Sequence, residues 1–198
     1  ITGLVDGEPL ADVSVFLREP APLSPFVTLL VDAAALGTAP DETVDALQAV
    51  ISQLESLHPY LGLSLYGDVD VVTDLVAPTL DLEVAEAAVA ELRTRRLPQE
   101  LVRQPFAALA ESVARQRAHR EAFKLRNAGG AVGEGFVLWL SGALSDEDAG
   151  AQSAAWSAID HVGDIVINVP LGEAAAPAVG AAFASPDSAG LPRAVAAA

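Results

Sequence analysis

The sequence predicts an α/β protein with a doubly wound, mostly parallel central sheet, one antiparallel strand and helices on both faces. Three observations carry that prediction. Near-continuous apolar runs at 26–32 (FVTLLVD), 136–142 (FVLWLSG) and 164–169 (DIVINV) read as strands buried on both sides, as a parallel sheet covered by helices requires. Segments with apolar residues at helical spacing separate these runs. LGLSLY at 61–66 and VDVVTDL at 69–75 flank Gly67-Asp68, and two β-rich runs around a tight turn predict an antiparallel hairpin added to the sheet.

Composition sets the outer bounds. The 198 residues suit a single domain of ordinary size, and 52% hydrophobic residues supply ample core. Eleven Lys+Arg against 27 Asp+Glu give a formal net charge of −16, which opposes binding to nucleic acid or to an anionic membrane surface. No cysteine is present, so thiol chemistry and a disulfide framework are excluded, but a chain this long needs no staples and its redox compartment stays open. No apolar stretch approaches the roughly 18 residues of a membrane span, and ITGLVDGEPL at the start lacks the features of a signal peptide. With Ile1 first and no methionine, the sequence reads as a processed chain or an excised domain.

In order along the chain, Asp6-Gly7 with Glu8-Pro9 is a turn signal, and ADVSVFL at 11–17 alternates as a strand does. REPAPLSP at 18–25 carries three prolines and is expected to be a stiff extended connector. Residues 1–20 are therefore assigned to an N-terminal strand and linker, or to the remnant of a preceding module, and 21–198 to the main domain. Phe26–Val31 then forms the central strand and ends on Asp32, with Ala33-Ala34-Ala35-Leu36-Gly37 read as a chemically silent loop. Thr38 is expected to cap a helix with Pro40 in its first turn and Val44, Leu47, Val50, Ile51, Leu54 and Leu57 on one stripe. His58-Pro59 stops it. In the hairpin, Asp68, Asp70 and Asp74 read as a solvated strand face rather than a cation site.

A helix over 82–95 and another from Pro98 to about Arg120, along Val102, Phe106, Leu109 and Val113, should cover the sheet. The tract NAGGAVGEG at 127–135 precedes a strand and lacks the Lys-Ser/Thr ending of a phosphate loop, so it is expected to be flexible. Ser145 should cap a helix opening on Asp146-Glu147-Asp148, and an alanine-rich helix should close the chain. Strand, helix, hairpin, two helices, strand, helix, strand, helix is the order of a doubly wound sheet.

From about Pro25 to Ala198 this order resembles the von Willebrand factor type A (vWA) domain, a Rossmann-like fold. The residues that carry the resemblance are VTLLVD followed by a helix, GLSLYGDVDVVTDL as the second and third strands, FAALAESV and GFVLWLSG, then GDIVINVPLG and AAFASPDS near the end. The resemblance implies a metal-ion-dependent adhesion site built from Asp-x-Ser-x-Ser, a threonine and an aspartate. Carboxylate and hydroxyl oxygens of that kind suit Mg²⁺. Here Asp32 matches, but Ala34 and Leu36 replace the serines, Arg103 falls at or near the threonine and Ser141 replaces the final aspartate. The site is therefore expected to be degenerate, with no metal and no cofactor.

Catalysis is not expected either. His58, His119 and His161 lie away from the loops at the carboxyl ends of the strands, and no nucleophile elbow, phosphate loop or dinucleotide fingerprint follows any strand. The positive signal is charge placement: nine of the eleven basic residues lie in 93–126, giving that window +6 and the remainder −22. Arg93, Arg95, Arg96, Arg115, Arg117, Arg120, Lys124 and Arg126 are the ligand-binding candidates, and Arg117, Arg120 and Lys124 fall on one helical face. The plain account is a solvated face paired with the protein's own acids. The sharper one is a surface for an acidic protein or a sulfated polymer, a metal-independent adhesion mode that the resemblance implies.

Two functions follow from the resemblance. One is a non-catalytic, metal-independent adhesion or scaffold domain of a larger secreted protein, in contact with neighbouring domains of the same chain. The alternative is an intracellular vWA-like subunit acting with an ATPase. The extracellular placement is favoured, with no nucleic-acid partner and no membrane insertion.

Overall fold

Alternation along one strand sets the layers of this protein. In a computed structural model that describes residues 4–5, 8–9, 23–68, 70–97, 104–127, 131–142 and 164–170, every residue of the strand Phe26–Asp32 is buried. Val27, Leu29 and Val31 point into one apolar cluster and Leu30 into another, because successive side chains of a strand leave opposite faces. Two cores, one above and one below, are the direct result.

The small ladder β1 (Leu4–Val5) and β2 (Glu8–Pro9) is antiparallel, with Leu4 opposite Pro9 and Val5 opposite Glu8. The main elements are β3 (Phe26–Asp32), α1 (Ala33–Thr38), α2 (Pro40–Leu54), β4 (Tyr60–Tyr66), β5 (Val72–Thr79), α3 (Leu82–Leu92), α4 (Pro105–Arg126), β6 (Gly135–Ser141) and β7 (Asp164–Pro170). The sheet order is β5-β4-β3-β6-β7, with β3 in the middle and β6 and β7 parallel to it on one side, as the three apolar runs predict. β4 is parallel to β3 from Phe26 opposite Tyr60 to Asp32 opposite Tyr66, and β5 returns antiparallel to β4. Gly67 makes that return possible at φ 76°, a conformation costly for side-chain-bearing residues.

One core holds Val44, Leu47, Ile51 and Leu54 of α2 and Ala85, Val89 and Leu92 of α3 against Val27, Leu29, Val31, Leu63 and Leu138. The other holds Phe106, Leu109 and Val113 of α4 against Leu30, Tyr66, Val137 and Trp139, with Phe106 edge-on to Trp139 at 5.5 Å. Helices thus cover both faces. α4 runs the length of the sheet: Phe106 meets Trp139 near the carboxyl ends, whereas Phe123 meets Phe26 and Tyr60 at the amino ends.

Several local expectations change. The segment after Asp32 is not a loop but the short helix α1, because Asp32 caps it: Ala34 N–H donates to Asp32 Oδ1 at 2.9 Å. Thr38 ends α1 instead of capping α2, its hydroxyl donating to the carbonyls of Ala34 and Ala35. α4 begins at Pro105 with Gln104 as its cap, not at Pro98, and runs on to Arg126. The expected strand at 11–17, the helix after Ser145, the C-terminal helix and His161 lie outside the described residues.

Candidate functional site

Asp32 stands at the carboxyl end of β3, the strand from which the chain proceeds to β4 on one side and later to β6 on the other. That reversal is where open α/β sheets place ligand sites. The carboxylate is fully buried, and both of its oxygens accept main-chain N–H groups: Oδ1 from Ala34, and Oδ2 from Gly142 at 3.2 Å. Asp32 therefore ties the start of α1 to the end of β6. Beside it, the Ser141 hydroxyl donates to Asn168 Oδ1 at 2.8 Å, and Leu36 lies in the core. The fold thus brings Asp32 and Ser141 together, puts Ala34 at the cap bond and Leu36 out of reach; Arg103 lies outside the described residues.

A second acid at this end reads differently from the sequence expectation. Asp68 is buried at 6% exposure, and Arg95 donates to its Oδ2 at 2.6 Å, so Asp68, Asp70 and Asp74 are not one solvated face. Asp74 accepts from the Ser64 hydroxyl at 2.8 Å and from Arg115 at 2.8 Å. Among the described residues no group of three His, Asp or Glu side chains is arranged to hold a metal ion.

The basic candidates do not form one surface. Arg93 pairs with Asp41 and Asp45 of α2, on the sheet face opposite α4. Arg95 lies at the carboxyl end with Asp68, and Arg96 is exposed near it. Arg115 bridges Glu111 and Asp74. Burial lowers the proton affinity of its guanidinium, but hydrogen bonds to Glu111 and Asp74 outweigh this, so its pKa is raised and its charge persists throughout the usable pH range. Arg120 donates to Gly133 O at 3.1 Å, Lys124 lies 4.0 Å from Glu121, and Arg117 is also engaged. Arg126 donates Nε–H to Ala122 O at 3.3 Å. A 22-residue helix is about 33 Å long, so its basic residues and those after α3 are spread over both ends and both faces of the sheet.

Gln116 is the residue that charge counting passes over. It is buried on α4, and its amide nitrogen lies 3.1 Å from Phe26 O, 2.7 Å from Phe136 O and 3.2 Å from Thr28 Oγ1, clamping the helix to β3 and β6. The signal was available, since the stripe Phe106, Leu109, Val113 continues to 116 and 120, placing a polar side chain at a core position.

No protein-family model and no curated protein matches the chain. Among solved structures, the chain is similar to the manganese-loaded TRAP protein of Plasmodium vivax, with a TM-score of 0.54 and 19% identity over 83% of this chain. It spans 65% of the length of that structure. With the sheet order and the single antiparallel strand already described, this decides the fold. The chain has a von Willebrand factor type A fold. A vWA protein of Catenulispora acidiphila (TM-score 0.45, 12% identity, 78% of this chain and 34% of that one) is also similar. So is the SpRpn10 VWA domain, at 0.45, 13%, 82% and 100% respectively. Within this vWA fold Asp32 occupies the strand end where the resemblance places its first metal ligand, but the groups around it differ in kind. A hard divalent cation needs several oxygen ligands. The described surroundings offer one carboxylate already bonded to two amides, a hydroxyl bonded to an asparagine, and the apolar Ala34 and Leu36.

Proposed function

We propose that this vWA-type domain is a non-catalytic interaction module that engages a protein partner without a metal ion, as an adhesion or scaffold domain of a larger extracellular protein. The observation that carries the reading is the use of Asp32 as an internal clamp, with both carboxylate oxygens accepting main-chain N–H groups of α1 and of the residue after β6. A ligand taken through a bridging cation would require those oxygens to turn outward, and both amides would lose their acceptor. Catalysis is disfavoured on the same ground of placement. His58 ends a short 3₁₀ turn and His119 lies within α4, both away from the carboxyl ends of the strands. Among the described residues no helix is long and apolar enough to cross a membrane.

Isothermal titration with Mg²⁺ and with Mn²⁺ tests the metal-free reading. No saturable heat is expected. A site of micromolar affinity that disappears in Asp32→Ala would overturn it.

A further inference from the structure

The amino end of the sheet, opposite Asp32, carries a second concave feature where the last turns of α4 cross the starts of β3 and β4. Phe26 and Tyr60 stack there with centroids 4.6 Å apart, and Phe123 meets them edge-on at 5.5 and 4.9 Å. The three rings form one wall of an open cleft of about 440 Å³, completed on its polar side by Thr79, His119, Arg126 and Asn127. Among the described residues no carboxylate lines it, although the whole chain carries −16. Leu80, also in the lining, is 51% exposed.

The state of Arg126 sets this cleft apart from four of the other basic positions. Arg93, Arg95, Arg115 and Lys124 each lie within ion-pair distance of a carboxylate. Among the described residues Arg126 is bonded to the carbonyl of Ala122 in its own helix, and no described acid lies within ion-pair distance of it. Its terminal nitrogens are thus available as a planar, two-pronged donor, the geometry that suits a carboxylate. Aromatic rings and arginine are also the residue types that anchor protein interfaces.

We propose that this cleft docks a short segment of a partner protein that presents an aromatic side chain beside a carboxylate. The partner's ring packs against Tyr60 and Phe123, where offset and edge-on contacts are favourable, and its carboxylate pairs with Arg126. A peptide suits the cleft better than a free small molecule, because an open cleft buries too little of a small ligand to hold it, whereas a peptide is held at two points. The proposal rests on the reading of the domain as a protein-interaction module but not on the absence of metal.

The test uses the whole ¹⁵N-labelled chain with chelator present, so that failure here and failure of the metal-free reading are seen in separate experiments. The probes are the capped peptide Ac-Glu-Phe-Glu-NH₂, its neutral counterpart Ac-Gln-Phe-Gln-NH₂ and a heparin hexasaccharide. The acidic peptide is expected to shift amide signals of Tyr60, Thr79, Phe123, Arg126 and Asn127. Its affinity should fall at least about fivefold in Arg126→Gln, in Phe123→Leu and on change to the neutral peptide. Arg126 is exposed and Phe123→Leu keeps apolar bulk, so both variants should fold, as their spectra would show. The proposal is overturned if the acidic peptide leaves those signals in place at about 5 mM, a weak-binding limit, or if Arg126→Gln binds it unchanged. It is equally overturned if heparin shifts the same signals and Phe123→Leu has no effect, which would mean a purely ionic patch.

Discussion

Replacing Asp32 by alanine separates a structural clamp from a metal site, because the two readings predict opposite outcomes in chelator. As a clamp, Asp32 caps α1 through Ala34 N–H, and losing such a cap costs about 1 kcal/mol. The variant also leaves Gly142 N–H without its acceptor in a partly buried position, costing about 1–3 kcal/mol more. The total is roughly 3 kcal/mol, and for a chain of 150–250 residues each kcal/mol lowers Tm by about 2–4 °C, so a fall of roughly 6–12 °C is expected. Asp32→Asn keeps one acceptor oxygen but turns an amide toward the other donor, and should lose about half as much. Calorimetric melts of the three proteins, each with chelator and with millimolar Mg²⁺, read both quantities. If Asp32→Ala melts within about 2 °C of the parent in chelator, or if Mg²⁺ raises Tm of the parent but not of the variant, the clamp reading is refuted.

Three other substitutions follow from contacts elsewhere. A Cβ at Gly133 would lie 2.1 Å from Ser24 O, a backbone atom with nowhere to go, so Gly133→Ala should cost about 3 kcal/mol or prevent soluble expression; a normal melting curve would contradict this. Gln116→Leu removes the amide that bonds Phe26 O and Phe136 O and should lower urea stability by about 2 kcal/mol without changing the m-value. Arg95→Leu leaves Asp68, with its side chain only 3% exposed, as an unpaired buried charge and should cost about 3 kcal/mol. Most of that loss should return in the Arg95→Leu/Asp68→Leu double variant; an unrecovered loss would mean the pair is not the cause.

The sheet was legible because apolar runs report two-sided burial directly. FVTLLVD, FVLWLSG and DIVINV are β3, β6 and β7, in the predicted parallel arrangement, and β5 pairs antiparallel with β4 as expected, but over Val72–Thr79 and not 69–75, so the connection is longer than the Gly67-Asp68 turn. Local propensity failed where tertiary contacts outvoted it. AAALG carries no cap of its own, and it became helix because the carboxylate before it faces the first free N–H. Asp68 looked solvated because alternation along a strand says which face a residue is on, but not that an arginine 27 residues later lies beside it. Charge counting along 93–126 failed for the same reason: α4 spans the sheet, so neighbours in sequence end up at opposite edges of the fold.

That dispersal changes what the charge can do. Reversing Arg115, Arg117 and Arg120 together cannot probe a binding face cleanly, since Arg115 bridges Glu111 and Asp74 and Arg120 holds Gly133 O, so the fold itself would be disturbed. Among the described residues Arg93, Arg95, Arg115 and Lys124 are spent on the protein's own acids, and the wider field is that of a −16 chain. At about 0.15 M salt screening acts over roughly 8 Å, so a lone Arg126 is felt only at contact, while the net negative charge is felt first. An acidic partner would then be repelled on approach and held only after docking. Its association rate should rise, and its dissociation rate should rise as well, as salt is increased from about 0.02 to 0.2 M, a range over which the screening length falls roughly threefold. An association rate that falls steeply with salt would require a concentrated basic surface, and the pairing of Arg93, Arg95, Arg115 and Lys124 leaves none among the described residues.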